Sequence, residues 1–477
     1  MEKLVGRSAE KEIMENAVES NRAELIAIYG RRRVGKTFLV RSVYEKRLVF
    51  EYTGLHNGKK KEQLENFGRS LTKAMKLPGE LAPPANWPAA FSLLEKFLEP
   101  IVKKSRAVIF LDEFPWINSP RSNFLKSFDH FWNTWASKHP YLTVVICGSA
   151  ASWMIQNIVK AKGGLHNRVT VRMNLAPFTL LETEQYLLGR SVKLDRYQLL
   201  QLYMVMGGIP QYLSDVKRGE SATMAIDRNC FTKHGYLTDE FKNLYSSLFD
   251  ESANHIAIVR QLARVSRGQT RTEIVEGARL SSGGRVSEAI TELEESGFIQ
   301  SFIPFGKTSN DVVYRLSDEY SLFYLKYMNK KEATGKGTWL RLSKTPSWIS
   351  WGGYAFESIC MKHIDQIKAG LGIADNLVKP SVWRYVPGKG KIGAQIDLLL
   401  DRDDHTITIC EMKFSTGEYT IVNNYADDLD RKRNVFAATT KTKKAIFLTM
   451  VTTYGVKRNP YYNKLIQSEL TMNDLFT

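Results

Sequence analysis

The run Gly30-Arg31-Arg32-Arg33-Val34-Gly35-Lys36-Thr37 constrains this chain more than any other stretch. It fits the pattern G-x-x-x-x-G-K-[ST]. Glu24-Leu25-Ile26-Ala27-Ile28-Tyr29 before it reads as a short buried strand. Phe38-Leu39-Val40-Arg41-Ser42-Val43-Tyr44 after it reads as the start of a helix. A strand that enters a Gly-bearing loop and then a helix aims backbone N–H groups and the positive end of the helix dipole at one point. That point suits the phosphates of a nucleotide. Lys36 would reach the β- and γ-phosphates, and Thr37 would hold Mg²⁺ through its hydroxyl. ATP and Mg²⁺ are therefore the expected ligands, with the loop from Gly30 to Thr37 and Phe38 just beyond it as the cradle.

A chain of 477 residues is too long for one core, and three or four domains are expected. No stretch approaches the roughly 20 apolar residues of a membrane span. The N-terminus carries no apolar signal region, so a cytoplasmic protein without a membrane partner is expected. Cys147, Cys230, Cys360 and Cys410 do not pair at metal-ligand spacing and read as reduced thiols. The net charge of +17 favours an anionic polymer as partner, nucleic acid foremost, although a solvated basic surface would give the same charge.

The second strong signal is Ala107-Val108-Ile109-Phe110-Leu111-Asp112-Glu113, an apolar run that ends in two carboxylates. A fully buried parallel strand reads this way, and the C-terminal ends of such strands bind ligands in open α/β sheets. Asp112 would hold Mg²⁺, and Glu113 would orient and deprotonate the attacking water. Leu142 to Gly148 is a further buried strand, and Ser149 at its end falls within reach of a γ-phosphate. These markers, with Val5-Gly6-Arg7 and Gly207-Gly208-Ile209-Pro210, resemble the archaeal and bacterial P-loop ATPases of the AAA+/STAND kind over about the first 240 residues. The resemblance implies that Gly6 and Arg7 sit beside the adenine and that Pro210 packs by the nucleotide. It also implies that Arg168 reaches a neighbouring subunit's γ-phosphate, hence a homo-oligomer.

Residues 254 to 316 read as helix, helix, helix, hairpin, which resembles a winged helix. The third helix carries Glu288, Glu292, Glu294 and Glu295 against Arg285 alone, an arrangement that would oppose phosphate binding. The module is read mainly as interdomain or regulatory. Asn329 to Thr338 is polar and Gly-bearing, and reads as a linker.

Beyond it, Gln395 to Leu400 and Thr406 to Lys413 read as two strands joined by a polar turn. If the hairpin pivots near Asp404, Asp397 lies opposite Glu411, and Lys413 shares Glu411's face. Two carboxylates at that range suit Mg²⁺, which activates water at a phosphodiester, and the lysine can stabilise that water or a phosphate oxygen. Glu357, on a helix opening at Tyr354, could add a third acid. Over about residues 350 to 450 this resembles the PD-(D/E)xK nuclease superfamily. Glu357, Asp397, Glu411 and Lys413 match its helix acid, strand acid and E-x-K. Ile396 stands where that superfamily often has a proline. A second E-x-K, Glu240-Phe241-Lys242, has no strand context.

The expected fold class is α/β. A P-loop ATPase core with a parallel sheet (1–175) leads to a helical lid (176–245), a winged-helix-like middle (246–330) and a C-terminal restriction-endonuclease-like α/β domain (338–477). The expected function is an ATPase whose nucleotide state controls a Mg²⁺-dependent nuclease acting on DNA, with RNA as the second candidate. Defence or DNA processing would suit such a coupling. The rival is a nucleotide-dependent switch whose last domain binds nucleic acid or a protein without cutting.

Overall fold

A computed structural model describes residues 4–159, 167–249, 251–265, 267–329, 335–386 and 393–477. The chain divides into two compact units, Met1–Pro177 and Phe178–Thr477.

The first unit is built on five strands: β1 (Glu24–Tyr29), β2 (Leu48–Thr53), β3 (Ala107–Asp112), β4 (Leu142–Gly148) and β5 (Val171–Asn174). Their order is β2-β3-β4-β1-β5, and every neighbouring pair is parallel. β3 and β4 are buried along their whole length, which is why the sequence shows them as unbroken apolar runs. Because β4 lies between β1 and β3, the ends that carry Gly30, Asp112 and Ser149 come together on one edge. Phe67, Trp87, Phe91, Phe124, Phe128 and Phe131 belong to one buried core cluster, with Trp87 edge-on to Phe124 at a ring separation of 4.7 Å.

A long helix of the first unit spans Trp87–Val102. Asn86 caps it by accepting the Ala89 N–H, and Pro88 falls in the first turn, where a missing N–H costs nothing.

The second unit opens with helices Leu180–Gly189 and Arg196–Met206. The middle segment has helices Ser252–Arg264, Arg271–Ala278 and Gly284–Glu295. With them goes an antiparallel sheet of β6 (Gln269–Thr270), β7 (Ile299–Phe302) and β8 (Val313–Leu316). Its order is β6-β8-β7. Thr270 and Glu273 form the reciprocal capping box that their spacing suggests. Val286, Ala289, Ile290 and Leu293 are the buried stripe of the third helix. Its carboxylates are partly engaged: Glu292 bonds His255 Nε2 at 2.7 Å, and Glu294 accepts from Ser301.

Of the expected linker, residues 330–334 lie outside the described residues. The part that follows is docked. Gly337 and Trp339 each donate a backbone N–H to the Asp227 carboxylate at 2.7 Å.

The last sheet comprises β9 (Val378–Tyr385), β10 (Ala394–Arg402), β11 (Thr406–Lys413), β12 (Ala445–Thr452) and β13 (Ser468–Thr471). Its order is β13-β12-β11-β10-β9. β9, β10 and β11 are antiparallel neighbours, while β11, β12 and β13 are parallel. The helix bearing Glu357 begins at Pro346 rather than Tyr354 and runs to Lys362, burying Trp348, Trp351, Ala355 and Phe356. Proline in its first turn favours that early start. Among the described residues no helix is long and apolar enough to cross a membrane.

Two candidate catalytic sites

The loop after β1 is held by backbone conformations that its sequence provides. Gly30 has φ +138, and a Cβ there would stand 2.5 Å from the Leu175 carbonyl oxygen. Gly35 has φ +94 and faces open space where a Cβ would go. Arg33 also adopts a positive φ, and Val34 and Arg31 are buried. Helix Lys36–Val43 starts at the mouth of the loop, so its first N–H groups face the cradle.

The charged groups of this cradle are engaged with the protein. Lys36 Nζ donates to Gly30 O at 3.0 Å and Arg31 O at 2.9 Å. Burial lowers its pKa, against the pull of Asp112 and Glu113. Thr37 Oγ1 donates to Asp112 Oδ2 at 2.9 Å. Cys147 donates to the other Asp112 oxygen, and burial raises its thiol pKa well above the usual value. Glu113 has φ +46, and its Oε2 accepts the Ser149 hydroxyl at 2.8 Å and the Ser149 N–H at 3.1 Å. Lys36, Thr37, Asp112, Glu113 and Ser149 are thus brought into one network. A buried ammonium, a hydroxyl–carboxylate pair and the open space before Gly35 are the features a Mg²⁺–nucleotide needs, so the residues fit that ligand.

Residues 4–216 match the family model described as "ATPase domain predominantly from Archaea". This segment is an archaeal-type ATPase domain. A relative from Methanocaldococcus jannaschii, the uncharacterized protein MJECL04, is 23% identical over 433 residues, covering 90% of this chain and 91% of its own length. The uncharacterized ATP-binding protein MJ0423 from the same organism is 44% identical over 46 residues, 10% of this chain and 78% of that protein. Among solved structures, the Walker-type ATPase PABY2304 of Pyrococcus abyssi aligns with a TM-score of 0.49 at 15% identity, covering 68% of this chain and 96% of that one.

Other expected residues of the ATPase domain have different surroundings. Gly6 and Arg7 are both left-handed. The Arg7 guanidinium pairs with Glu10 at 3.2 Å and donates to Ala176 O at 2.7 Å and Val34 O at 3.4 Å. It braces the phosphate loop from behind. Arg32 is half-buried, and Phe38 and Arg168 are exposed. Pro210 is the first residue of a short helix in the second unit.

In that second unit, Leu398 pairs with Cys410, so Asp397 comes opposite Glu411, one step beyond the last bonded pair. The β9–β10 register shifts between Ile396 and Leu399. Such an irregularity re-aims the side chains it carries, here Asp397. Arg315, buried on β8, reaches Glu357 Oε2 at 3.4 Å and Asp397 Oδ1 at 3.8 Å. Gln395 donates to Asp397 at 2.7 Å. Glu411 Oε1 accepts from Lys413 at 2.8 Å, Tyr425 at 2.8 Å and Lys432 at 3.2 Å.

Burial, reinforced by Asp397, raises the Glu357 pKa to about 8. Burial also pushes Glu411 up, but the two ammonium groups and the hydrogen bonds outweigh it and hold its pKa below the usual carboxylate value. Lys413 is pushed down by burial and lifted further by Glu411, with a net rise. Glu357, Asp397, Glu411 and Lys413 therefore converge.

Arg315, Tyr425 and Lys432 belong to the same cluster and were not legible as such. Lys432 falls in the run Asp430-Arg431-Lys432-Arg433, which by sequence could track a nucleic-acid backbone or equally be a solvated turn. Its three cations are instead paired with Asp428, Glu411 and Asp430. The stray Glu240-Phe241-Lys242 lies on a helix, and Glu240 accepts from Tyr212 at 2.7 Å. Among the described residues, no group of three or more His, Cys, Asp and Glu side chains is arranged to hold a metal. Mg²⁺ commonly takes one or two carboxylates plus substrate oxygens, which is the donor set that Asp397 and Glu411 offer.

Proposed function

We propose that the chain hydrolyses ATP and uses nucleotide state to control a Mg²⁺-dependent nuclease site in its second unit, acting on DNA in preference to RNA. The observation that carries this reading is the convergence of Glu357, Asp397, Glu411 and Lys413 in a chain whose first unit is an ATPase domain. The working parts are the core (1–175), the lid (176–245), the winged-helix-like module (246–330) and the nuclease-like domain (338–477). The protein would work in the cytoplasm as a homo-oligomer, with Arg168 and Pro210 completing the nucleotide site as the sequence resemblance implies.

At the nucleotide, Lys36 would exchange two carbonyls for phosphate oxygens, and Thr37 and Asp112 would hold Mg²⁺. Bound Mg²⁺ screens the charge that builds on the phosphates. Glu113, held by the Ser149 hydroxyl and N–H, would take a proton from the attacking water. At the second site Asp397 and Glu411 would hold Mg²⁺. Lys413 would steady the attacking water or a phosphate oxygen, and Glu357, beside Asp397 and held by Arg315, would stand as the third acid of the site.

A second reading has a specific observation behind it. Glu411 is neutralised by Lys413 and Lys432, so the cluster can serve as a salt-bridged face of a domain that binds without cutting. Cleavage of circular and linear DNA with Mg²⁺, with and without ATP, separates the two. Wild type should cut, Glu411→Ala should not, and Lys36→Ala should lose the response to ATP. Wild type that hydrolyses ATP and leaves every nucleic acid intact would sink the nuclease.

A further inference from the structure

In the last sheet and its helices Arg402, Lys413, Arg431, Lys432, Arg433 and Lys444 are paired with carboxylates. Four basic residues elsewhere in the second unit differ. Arg260, Arg264, Arg279 and Lys326 are exposed, and no ion pair to a carboxylate is found for them among the described residues. Arg260 and Arg264 lie one turn apart on helix Ser252–Arg264, and they line two cavities at once. One, of about 430 Å³, extends to Arg279. The other, of about 420 Å³, extends to Lys326 over a floor that includes Trp351 and Tyr354. The pair therefore forms a divide shared by two clefts, with basic groups at both outer ends.

The inner cleft leads somewhere. Tyr354 stands one helical turn before Glu357 on helix Pro346–Lys362, and the Arg315 guanidinium lies 5.8 Å from its ring centre. That same Arg315 touches Glu357 and approaches Asp397. A polymer lying along the two clefts would come within one helical turn of Glu357.

The geometry points to a track for a single nucleic-acid strand, running from Arg279 across Arg260 and Arg264 to Lys326, Trp351 and Tyr354, and ending at the carboxylate cluster. Its parts have the chemistry for this. Unpaired guanidinium and ammonium groups neutralise phosphates, and the partly buried Tyr354 lines the inner cleft. Clefts of this size admit a nucleotide or two rather than a duplex. The basic surface of the winged-helix-like module is then its first helix, on the side away from the acidic carboxylates of helix Gly284–Glu295. The inference rests on the reading that the second site acts on nucleic acid.

The test measures binding without cleavage. A fluorescein-labelled oligothymidylate of roughly twenty nucleotides, long enough to span the track, is titrated with full-length protein in EDTA at several salt concentrations. Wild type should bind with a steep salt dependence. Arg260→Glu/Arg264→Glu should bind on the order of tenfold more weakly or worse, with a salt slope shallower by about one to two. Arg260→Lys/Arg264→Lys should stay close to wild type, and thermal melting should be unchanged in both because the residues are exposed. The inference fails if the double glutamate variant binds with wild-type affinity and slope, if wild type binds no strand, or if duplex competes better than single strand. Binding at these residues together with no cleavage in Mg²⁺ would support the track while sinking the nuclease.

Discussion

The two candidate sites hold their charges in opposite ways. In the phosphate loop, Lys36 rests on two backbone carbonyls, neutral partners that a phosphate can replace. In the second unit, Glu411 is held by two ammonium groups and a phenol. The first site is shaped by backbone and keeps its cation ready to exchange. The second is shaped by side-chain ion pairs, whose charges are mutually dependent. Removing one charge should therefore cost little stability at the first site and much more at the second.

The largest expected effect sits at the nucleotide. Lys36→Ala should reduce ATP hydrolysis on the order of a hundredfold or more, because the charge on the transferred phosphoryl group then lacks its nearest ammonium. Unfolding free energy should move by less than about 1.5 kcal/mol, since only two hydrogen bonds to carbonyls are lost. A malachite-green phosphate assay beside a urea melt reads both. A stability loss matching the activity loss would erase the contrast between the sites.

Glu411→Ala should do the reverse to the fold. Lys413 and Lys432 would be left beside each other without their shared carboxylate. The cost is expected at about 3 kcal/mol, the lower end for breaking a buried pair, because both lysines are partly exposed. The ATPase activity of the first unit should persist. A melt identical to wild type would mean that the Glu411 network is not the ion-paired structure that separates the two sites.

A third effect lies within the second unit. His363 is buried at the end of helix Pro346–Lys362. Its Nδ1–H donates to Ile359 O at 2.8 Å, and its Nε2 accepts the Leu180 N–H at 3.1 Å. A protonated ring would turn an N–H against that N–H. Burial accordingly lowers its pKa to about 4 from an ordinary value of 6.5. The unfolded chain binds the proton more readily, so this histidine's contribution is fully present above pH 6.5 and is lost as pH falls from 6.5 towards 4. The loss should reach about 2 kcal/mol at pH 5. Urea melts at pH 7 and pH 5 on wild type and His363→Gln measure it, and the variant should show the flatter dependence.

Much of the first site is legible because its geometry is local. Gly30 to Thr37 is one continuous segment, and Asp112-Glu113 ends a strand whose burial shows in its composition. The pairing of Asp397 with Glu411 is also readable, since a short hairpin fixes its own register around Asp404. Arg315, Tyr425 and Lys432 are not readable, because each arrives from a different element and only tertiary packing brings it in. Glu113's partner is a similar case. The sequence places Ser149 near the γ-phosphate, and the bonds from its hydroxyl and N–H to Glu113 show only in the structure.

That contact sets the smallest effect and the finest comparison. Ser149→Ala removes the hydroxyl that Glu113 accepts but leaves the backbone N–H in place, so stability should fall by about 1 kcal/mol or less. If Ser149 acts mainly by holding Glu113, hydrolysis should change about tenfold or less, since the carboxylate keeps one restraint and its own chemistry. If the hydroxyl bonds the phosphoryl oxygens as charge builds, the loss should approach a hundredfold, the scale for removing one such donor. We expect the smaller change, because in this structure the hydroxyl is already committed to the carboxylate. Single-turnover hydrolysis of ATP by Ser149→Ala and Glu113→Gln, measured side by side, decides it. A Ser149→Ala defect as deep as that of Glu113→Gln would show that even the backbone-shaped site depends on a side-chain pair, as the second site does.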